Sequence, residues 1–253
     1  MKKAIAIIAK EVSDEVLDYY NSLSKVKSFY LITPEKNNEL EKRFSKLKIF
    51  KDSEILNREL HTYIEKTSRP NWYYQQFLKY ELVFFLDYDY VHIIDGDSYI
   101  REELVLEDKL FFTKKKIEKK YNLFINNINL FNNISEKSFI TNQMCFSKKD
   151  LECLVQSISP IRENWIKTVV DMLIKSENTW FSEYQLYANY ILNKTGENKT
   201  EKLKVYRRLD LLNVSIESAL EKYPIVSYEL GHKVDFLRKI RAKIYYFLQI
   251  NFG

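Results

Sequence analysis

Short apolar runs alternate with helical patterns through the first hundred residues, and this alternation constrains the fold more than any other feature. Residues 4–9 (AIAIIA) read as a buried strand, and Ser13 followed by Asp14 and Glu15 opens a helix whose apolar face is Val16, Leu17, Tyr20 and Leu23. Residues 27–33 form a second strand stopped by Pro34, and residues 48–50 a third. Asp52 and Ser53 cap a helix to about Lys66, residues 72–85 continue as helix, and residues 91–94 (VHII) are a fourth strand. Such a pattern predicts an α/β fold with a mixed, mainly parallel sheet.

The second half adds a strand at 138–146, then a helix opened by Ser147 and Asp150 in the manner of a capping box. Trp165, Val169, Met172 and Leu173 mark a further amphipathic helix, and Ser182 caps another over 183–192. Residues 195–200 read as a polar loop and 225–228 as a late strand. Repeats and internal linkers are absent, so one domain over 1–232 accounts for the chain up to a basic tail.

That tail carries most of the net charge of +5: Lys233, Arg238, Lys239, Arg241 and Lys243 stand against Asp235. Phe236, Leu237, Ile240, Ile244, Tyr245, Phe247 and Leu248 are interleaved at helical spacing, giving a basic amphipathic helix over 233–253. Such a helix either lies on an anionic membrane surface, through residues 235–250, or packs on the core. Elsewhere acidic and basic residues are mixed, which argues against a nucleic-acid partner. The six-residue apolar run at the N-terminus ends at Lys10-Glu11, too short for an export signal, and Cys145 and Cys153 form no metal or redox motif. A cytoplasmic location is the expectation.

The chemistry concentrates where VHII runs into Asp95-Gly96-Asp97. In open α/β sheets ligands bind beyond the carboxyl ends of the strands. Two carboxylates one residue apart there can hold a hard divalent cation together with diphosphate oxygens, and Gly96 lets the backbone turn tightly. A departing nucleoside diphosphate needs such a cation, because negative charge grows on it as its sugar bond breaks. Asp87-Tyr88-Asp89 has the same spacing but sits in a tyrosine-rich connection rather than at a strand end.

Upstream of the acidic motif lies Arg69-Pro70-Asn71-Trp72-Tyr73-Tyr74-Gln75-Gln76-Phe77-Leu78-Lys79; downstream are residues 138–144 (SFITNQM) and Phe181-Ser182-Glu183-Tyr184. In these features, over about residues 65–235, the chain resembles a group of bacterial GT-A-type glycosyltransferases with a W-Y-x-Q-Q-x-x-K segment before the acidic motif. It departs from that pattern in the extra Asp87-x-Asp89 pair and in holding only 4 glycines. The resemblance implies a single GT-A-like (Rossmann-like) domain with a helical C-terminal part, and a metal-dependent transferase acting on a nucleotide-sugar, a UDP-sugar first. It further implies Mn²⁺ or Mg²⁺ at the acidic motif and a surface-glycan acceptor, as in capsule or lipooligosaccharide synthesis, at the inner face of the membrane. Asp97 is then the direct metal ligand, Asp95 touches metal or ribose, and His232, after the late strand, is the third ligand.

Lys79 is a candidate for a phosphate, and Gln75 and Gln76 for ribose or sugar hydroxyls, with Gln75 and Lys79 sharing a helix face at i, i+4. Arg69 is a further phosphate or carboxylate candidate. Lys10 and Asp52, at the ends of the first and third strands, are expected at the base. Glu183 is either a general base for the acceptor hydroxyl or a complement to its helix dipole; in a retaining enzyme, Glu183 or Asn142 would hold the donor sugar. Asn142, Thr141 and Tyr184 are expected on the acceptor side, and His61 and His92 are read as structural. Two other readings remain: a haloacid-dehalogenase-like phosphatase using Asp95 and Asp97, and a non-catalytic membrane-surface protein using the tail.

Overall fold

The computed structural model describes residues 1–176, 178–207 and 214–228. In chain order the elements are β1 (Lys3–Ile8), α1 (Asp14–Ser22), β2 (Phe29–Thr33), α2 (Asn38–Arg43), β3 (Leu47–Lys51), α3 (Asp52–Ile55), α4 (Arg58–Ile64) and α5 (Pro70–Phe85). There follow β4 (Tyr90–Asp95), β5 (Ser98–Ile100), β6 (Leu110–Lys116), α6 (Lys119–Ile128), β7 (Lys137–Ser138), β8 (Gln143–Ser147), α7 (Lys148–Ile158) and α8 (Trp165–Lys175). The last are α9 (Glu183–Thr195), β9 (Thr200–Lys202), β10 (Val205–Arg207), α10 (Ile216–Lys222) and β11 (Ile225–Ser227).

The main sheet has the order β3-β2-β1-β4-β8. Its first four strands are parallel and β8 is antiparallel to β4, which is the mixed, mainly parallel α/β architecture the alternation predicts. Both faces of β1 are covered, and its residues divide by parity: Ala4, Ala6 and Ile8 enter one core, Ile5 and Ile7 the other. The first core lies under α5, α7, α8 and α9; the second lies under α1 and the small sheet β10-β11-β5. A second small sheet has the order β7-β6-β9.

The order of the strands fixes where a ligand can bind. From β1 the chain runs outward through β2 and β3, then returns through α5 to place β4 on the other side of β1. β1 and β4 therefore flank the point where the direction of winding reverses, and the carboxyl edge on either side of it is where ligands bind in open α/β sheets. Ile8 pairs with Asp95 at that edge.

Several local expectations are corrected. The helix expected over 52–66 is two helices, because Leu56 is extended and buried while the Asn57 side chain caps α4 by accepting from Leu60 N. The strand expected at 138–146 breaks between β7 and β8, where Asn142 has φ 64°. Ser147 does cap α7 by accepting from Asp150 N, but the reciprocal bond of a capping box is replaced: the Ser147 N–H donates to the Tyr187 hydroxyl at 2.8 Å. The polar loop at 195–200 ends in β9. The expected tail helix over 233–253 and the boundary at 232 lie outside the described residues.

His92 is structural, as expected. The Leu106 N–H donates to its Nδ1 at 2.9 Å, so Nε2 carries the proton and faces Gln143 Oε1. Burial pushes its pKa down to about 4, with the Gln143 contact opposing in part. Between that value and the ordinary one near 6.5 the unfolded chain binds the extra proton, so stability falls as pH drops through this window and is complete above it. The expected loss is about 3 kcal/mol. Thermal melts from pH 7 to 4 should show this decline in the native chain and a shallower one in His92→Asn; identical slopes would refute it.

Candidate active site

Asp95 ends β4, and three main-chain hydrogen bonds pin the turn that follows. The Asp95 N–H donates to Asn142 O at 2.9 Å, the Gly96 N–H to Ile8 O at 3.1 Å, and Asp97 O accepts from Tyr228 N at 3.0 Å. The glycine is required by close approach: a Cβ at position 96 would lie 2.2 Å from Ala9 Cβ and 3.2 Å from Ile8 O. Room beside the end of β1, rather than an unusual turn, is what excludes a side chain here. Asp97 Oδ1 accepts from Ser98 Oγ at 3.0 Å. The competing Asp87-x-Asp89 pair lies at the amino end of β4, where Lys2 binds both carboxylates, Asp87 through Nζ at 3.0 Å and Asp89 through its N–H at 2.7 Å. Strand position thus separates the two motifs.

Behind Asp95 is a buried charge network. Lys79 Nζ lies 2.7 Å from Asp95 Oδ1 and 2.7 Å from Glu183 Oε1. Lys79 is 5% exposed and Glu183 0%. The Tyr184 hydroxyl donates to Asp95 Oδ1 at 3.2 Å, and its ring lies 4.2 Å from the ammonium. Tyr80 donates to the Glu183 carbonyl at 2.7 Å, and the Gln76 amide nitrogen, turned toward the Glu183 carboxylate, donates to it. Burial draws the Lys79 pKa down, but the Asp95 and Glu183 carboxylates outweigh it and hold the ammonium well above its ordinary value. Burial raises Glu183, and Lys79 offsets part of that rise.

This network corrects several expected roles. Lys79 is occupied by two carboxylates and does not stand open to a phosphate. Its helical partner is Gln76 rather than Gln75, because Gln76 and Lys79 both turn inward while Gln75 is exposed. Glu183 has no surface from which to take a proton off an acceptor, so it anchors Lys79 instead. Tyr184 holds Asp95, and Thr141 is fully buried, its hydroxyl donating to Gln143 O at 3.0 Å inside its own turn. Neither faces an acceptor. Asn142 does adjoin the motif: its carbonyl clamps Asp95, and its Oδ1 is buried with no hydrogen-bond partner among the described residues.

A cavity of about 180 Å³ opens at the ends of β1, β2 and β3. Asn71, Tyr74, Gln75 and Leu78, an i, i+3, i+4, i+7 stripe of α5, form one wall; Ile8, Ala9, Lys10, Ile32 and Asp52 contribute from the strand ends. Lys10 and Asp52 thus lie where the sequence places them, and Gln75 joins them. His61 also lines the cavity, its ring edge-on to Tyr74 at 4.8 Å, so reading it as a purely structural residue was incomplete. Burial, then the neighbouring Asp52 carboxylate, raises the pKa of Tyr74. Sequence reasoning gave Asn71 and Tyr74 no role; that they share the i, i+3, i+4 stripe of Gln75 facing the Lys10 side appears only once β1 and α5 are packed. A larger cleft of about 470 Å³ lies between α3, α4 and α8, and both of its cations are paired with glutamates that line it: Arg162 with Glu81 at 2.9 Å and Lys167 with Glu59 at 2.8 Å.

Arg69 lies apart from the cavity, between Trp72 and Trp180. Among the described residues no three His, Cys, Asp or Glu side chains gather as a metal site, and His232 lies outside them.

No family model and no curated protein matches the sequence. By structure the chain is similar to two crystal structures of the glycosyltransferase GlyE from Streptococcus pneumoniae TIGR4, one of them the apo form. Identities are 13% and 12% and TM-scores 0.42 and 0.44, the second value of each belonging to the apo form; 99% of this chain and 60% of each of those chains are covered. The chain therefore spans about three fifths of the length of those structures.

Proposed function

We propose that the chain transfers a sugar from a nucleotide diphosphate-sugar with the help of Mn²⁺ or Mg²⁺. One observation carries the reading: the cavity and the acidic turn share a wall. Ala9 lines the cavity and is also the residue against which Gly96 packs. A nucleoside in the cavity therefore places its diphosphate beside Asp97. The volume suits one end of such a ligand, since sites that enclose a whole ligand of that size start near ~300 Å³. Leu78 and Ile32 offer apolar contact, and Asp52, Lys10 and Gln75 offer polar groups to a base and ribose.

The donor set fits a hard cation that keeps few protein ligands, with Asp97 and Asp95 as carboxylates and diphosphate oxygens completing the shell. When bound, the ion neutralises charge on the departing diphosphate. Lys79 and Tyr184 hold Asp95 through Oδ1, which fixes the carboxylate and leaves Oδ2 for metal or ribose. Asn142, whose carbonyl holds Asp95, keeps a buried Oδ1 without a hydrogen-bond partner among the described residues, and a sugar hydroxyl is the partner the proposal gives it. A bacterial surface-glycan acceptor, the cytoplasmic face of the inner membrane as the place of action, and membrane contact through 235–250 belong to the same proposal.

The test is a thermal-shift panel of UDP-, GDP- and CMP-sugars with and without Mn²⁺. One nucleotide class, UDP first, should stabilise by about 2.7 kcal/mol at a hundredfold excess over its Kd, or on the order of 5–10 °C, and only with the metal. No shift with any nucleotide would end this reading.

A further inference from the structure

Two cations near the site have no acidic partner among the described residues. Arg69 Cζ lies 4.4 Å from the ring centre of Trp72 and 4.8 Å from that of Trp180; Lys120 Nζ lies 4.4 Å from Trp180. Both thus meet on one indole, which bounds their separation. Among the described residues neither is within ion-pair distance of a carboxylate, whereas the surface lysines Lys116 and Lys137 are each paired with a glutamate at 2.7 Å. The Trp180 N–H donates to Lys120 O at 3.1 Å, and Tyr121 packs 5.6 Å from Trp180 and 6.2 Å from Trp72. Arg69 is therefore held between two indoles, its rotamer freedom already lost before any ligand arrives.

The placement is as informative as the charge. α5 leads into β4, so its first residues stand at the carboxyl edge of the sheet, the edge of Asp95 and Asp97. Trp180 precedes Glu183 by three residues, and Tyr121 feels both Arg69 and Glu183: burial pushes its pKa up to about 12, Arg69 acts against that rise, and Glu118 and Glu183 add to it. The nucleoside cavity uses a different stripe of α5, which Trp72 does not join.

The geometry points to a second, anionic subsite: Arg69 and Lys120 bind a phosphate or carboxylate carried by a sugar, and that sugar is the acceptor. Calling it the acceptor rests on the transferase reading above; the binding of the anion does not. Arginine favours such oxyanions because its fork can engage two oxygens at once.

Tryptophan fluorescence reads the site directly, since Trp72 and Trp180 belong to it and Trp165 is buried elsewhere against Phe77 and Tyr80. Glucose 1-phosphate, glucuronate and glucose are titrated separately in EDTA at fixed ionic strength. Saturable binding of the phosphate sugar, the uronate or both is expected, and shows which oxyanion is read; glucose should not bind. Arg69→Gln and Lys120→Gln should each weaken the anion by about tenfold. Asp97→Asn should leave this binding unchanged while ending donor turnover, so failure of the transferase reading and failure of the subsite are told apart. If Arg69→Gln fails to fold, Lys120→Gln decides. No saturable change with either anion, equal binding of glucose, unchanged affinity in the folded variants, or loss of binding in Asp97→Asn would overturn the proposal.

Discussion

Replacing Lys79 by methionine is expected to destabilise the chain by about 3–5 kcal/mol, the cost of stranding buried carboxylates when their cation is removed. Glu183 is 0% exposed and holds that ammonium at 2.7 Å, and Asp95 shares it at the same distance. Methionine fills a similar volume, so packing contributes little to the loss. For a chain of this size the melting temperature should fall on the order of 10 °C. The double variant Lys79→Met, Glu183→Gln should recover part of the loss, because the stranded charge at 183 is gone; chemical denaturation of the four-member cycle measures that coupling. A Lys79→Met chain that melts with the native one would show that the network is not holding the fold.

The larger effect on activity is expected at Asp97. Asp97→Asn keeps an oxygen to accept from Ser98 Oγ, so the fold should be unchanged, but the side chain is no longer an anion for the proposed metal. Losing several kcal/mol of charge stabilisation at the leaving group corresponds to about 10³-fold or more in turnover. Nucleoside diphosphate release from the donor identified by thermal shift, measured with Mn²⁺, gives the number. Asp87→Asn is the control: that carboxylate is 95% exposed at the opposite strand end, and its loss should leave the rate intact. Full turnover in Asp97→Asn would remove the acidic turn from the mechanism.

β1, β2 and β4 were legible as short apolar runs because parallel strands buried on both faces leave that trace, whereas β3, with Lys48 and Lys51 exposed, was legible only over 48–50. Strand position separates Asp95-Gly96-Asp97 from Asp87-Tyr88-Asp89, which lies at the amino end of β4 with Asp87 in an ion pair with Lys2 Nζ and Asp89 accepting from the Lys2 N–H. Residues 98–137 left little trace: β5 has three residues, and the exposed end of β6 is a run of lysines whose strand state depends on its partners β7 and β9. The roles of Lys79, Glu183, Tyr184 and Thr141 were misjudged for one reason. Polar residues on helices and turns look solvent-facing in a sequence, and only tertiary packing, here α5 against α9, shows which are buried and already satisfied.

Helix α5 is read from two sides. Asn71, Tyr74 and Gln75 line the cavity while Gln76 and Lys79 reach Glu183, and each residue step turns the helix by about 100°. A slip of one position would therefore misplace both sets together. If the cavity holds the proposed nucleoside, its selectivity can change by exchanging side chains at 71, 74 or 75, or at the strand-end positions 10 and 52, but not by shifting the helix that carries the wall.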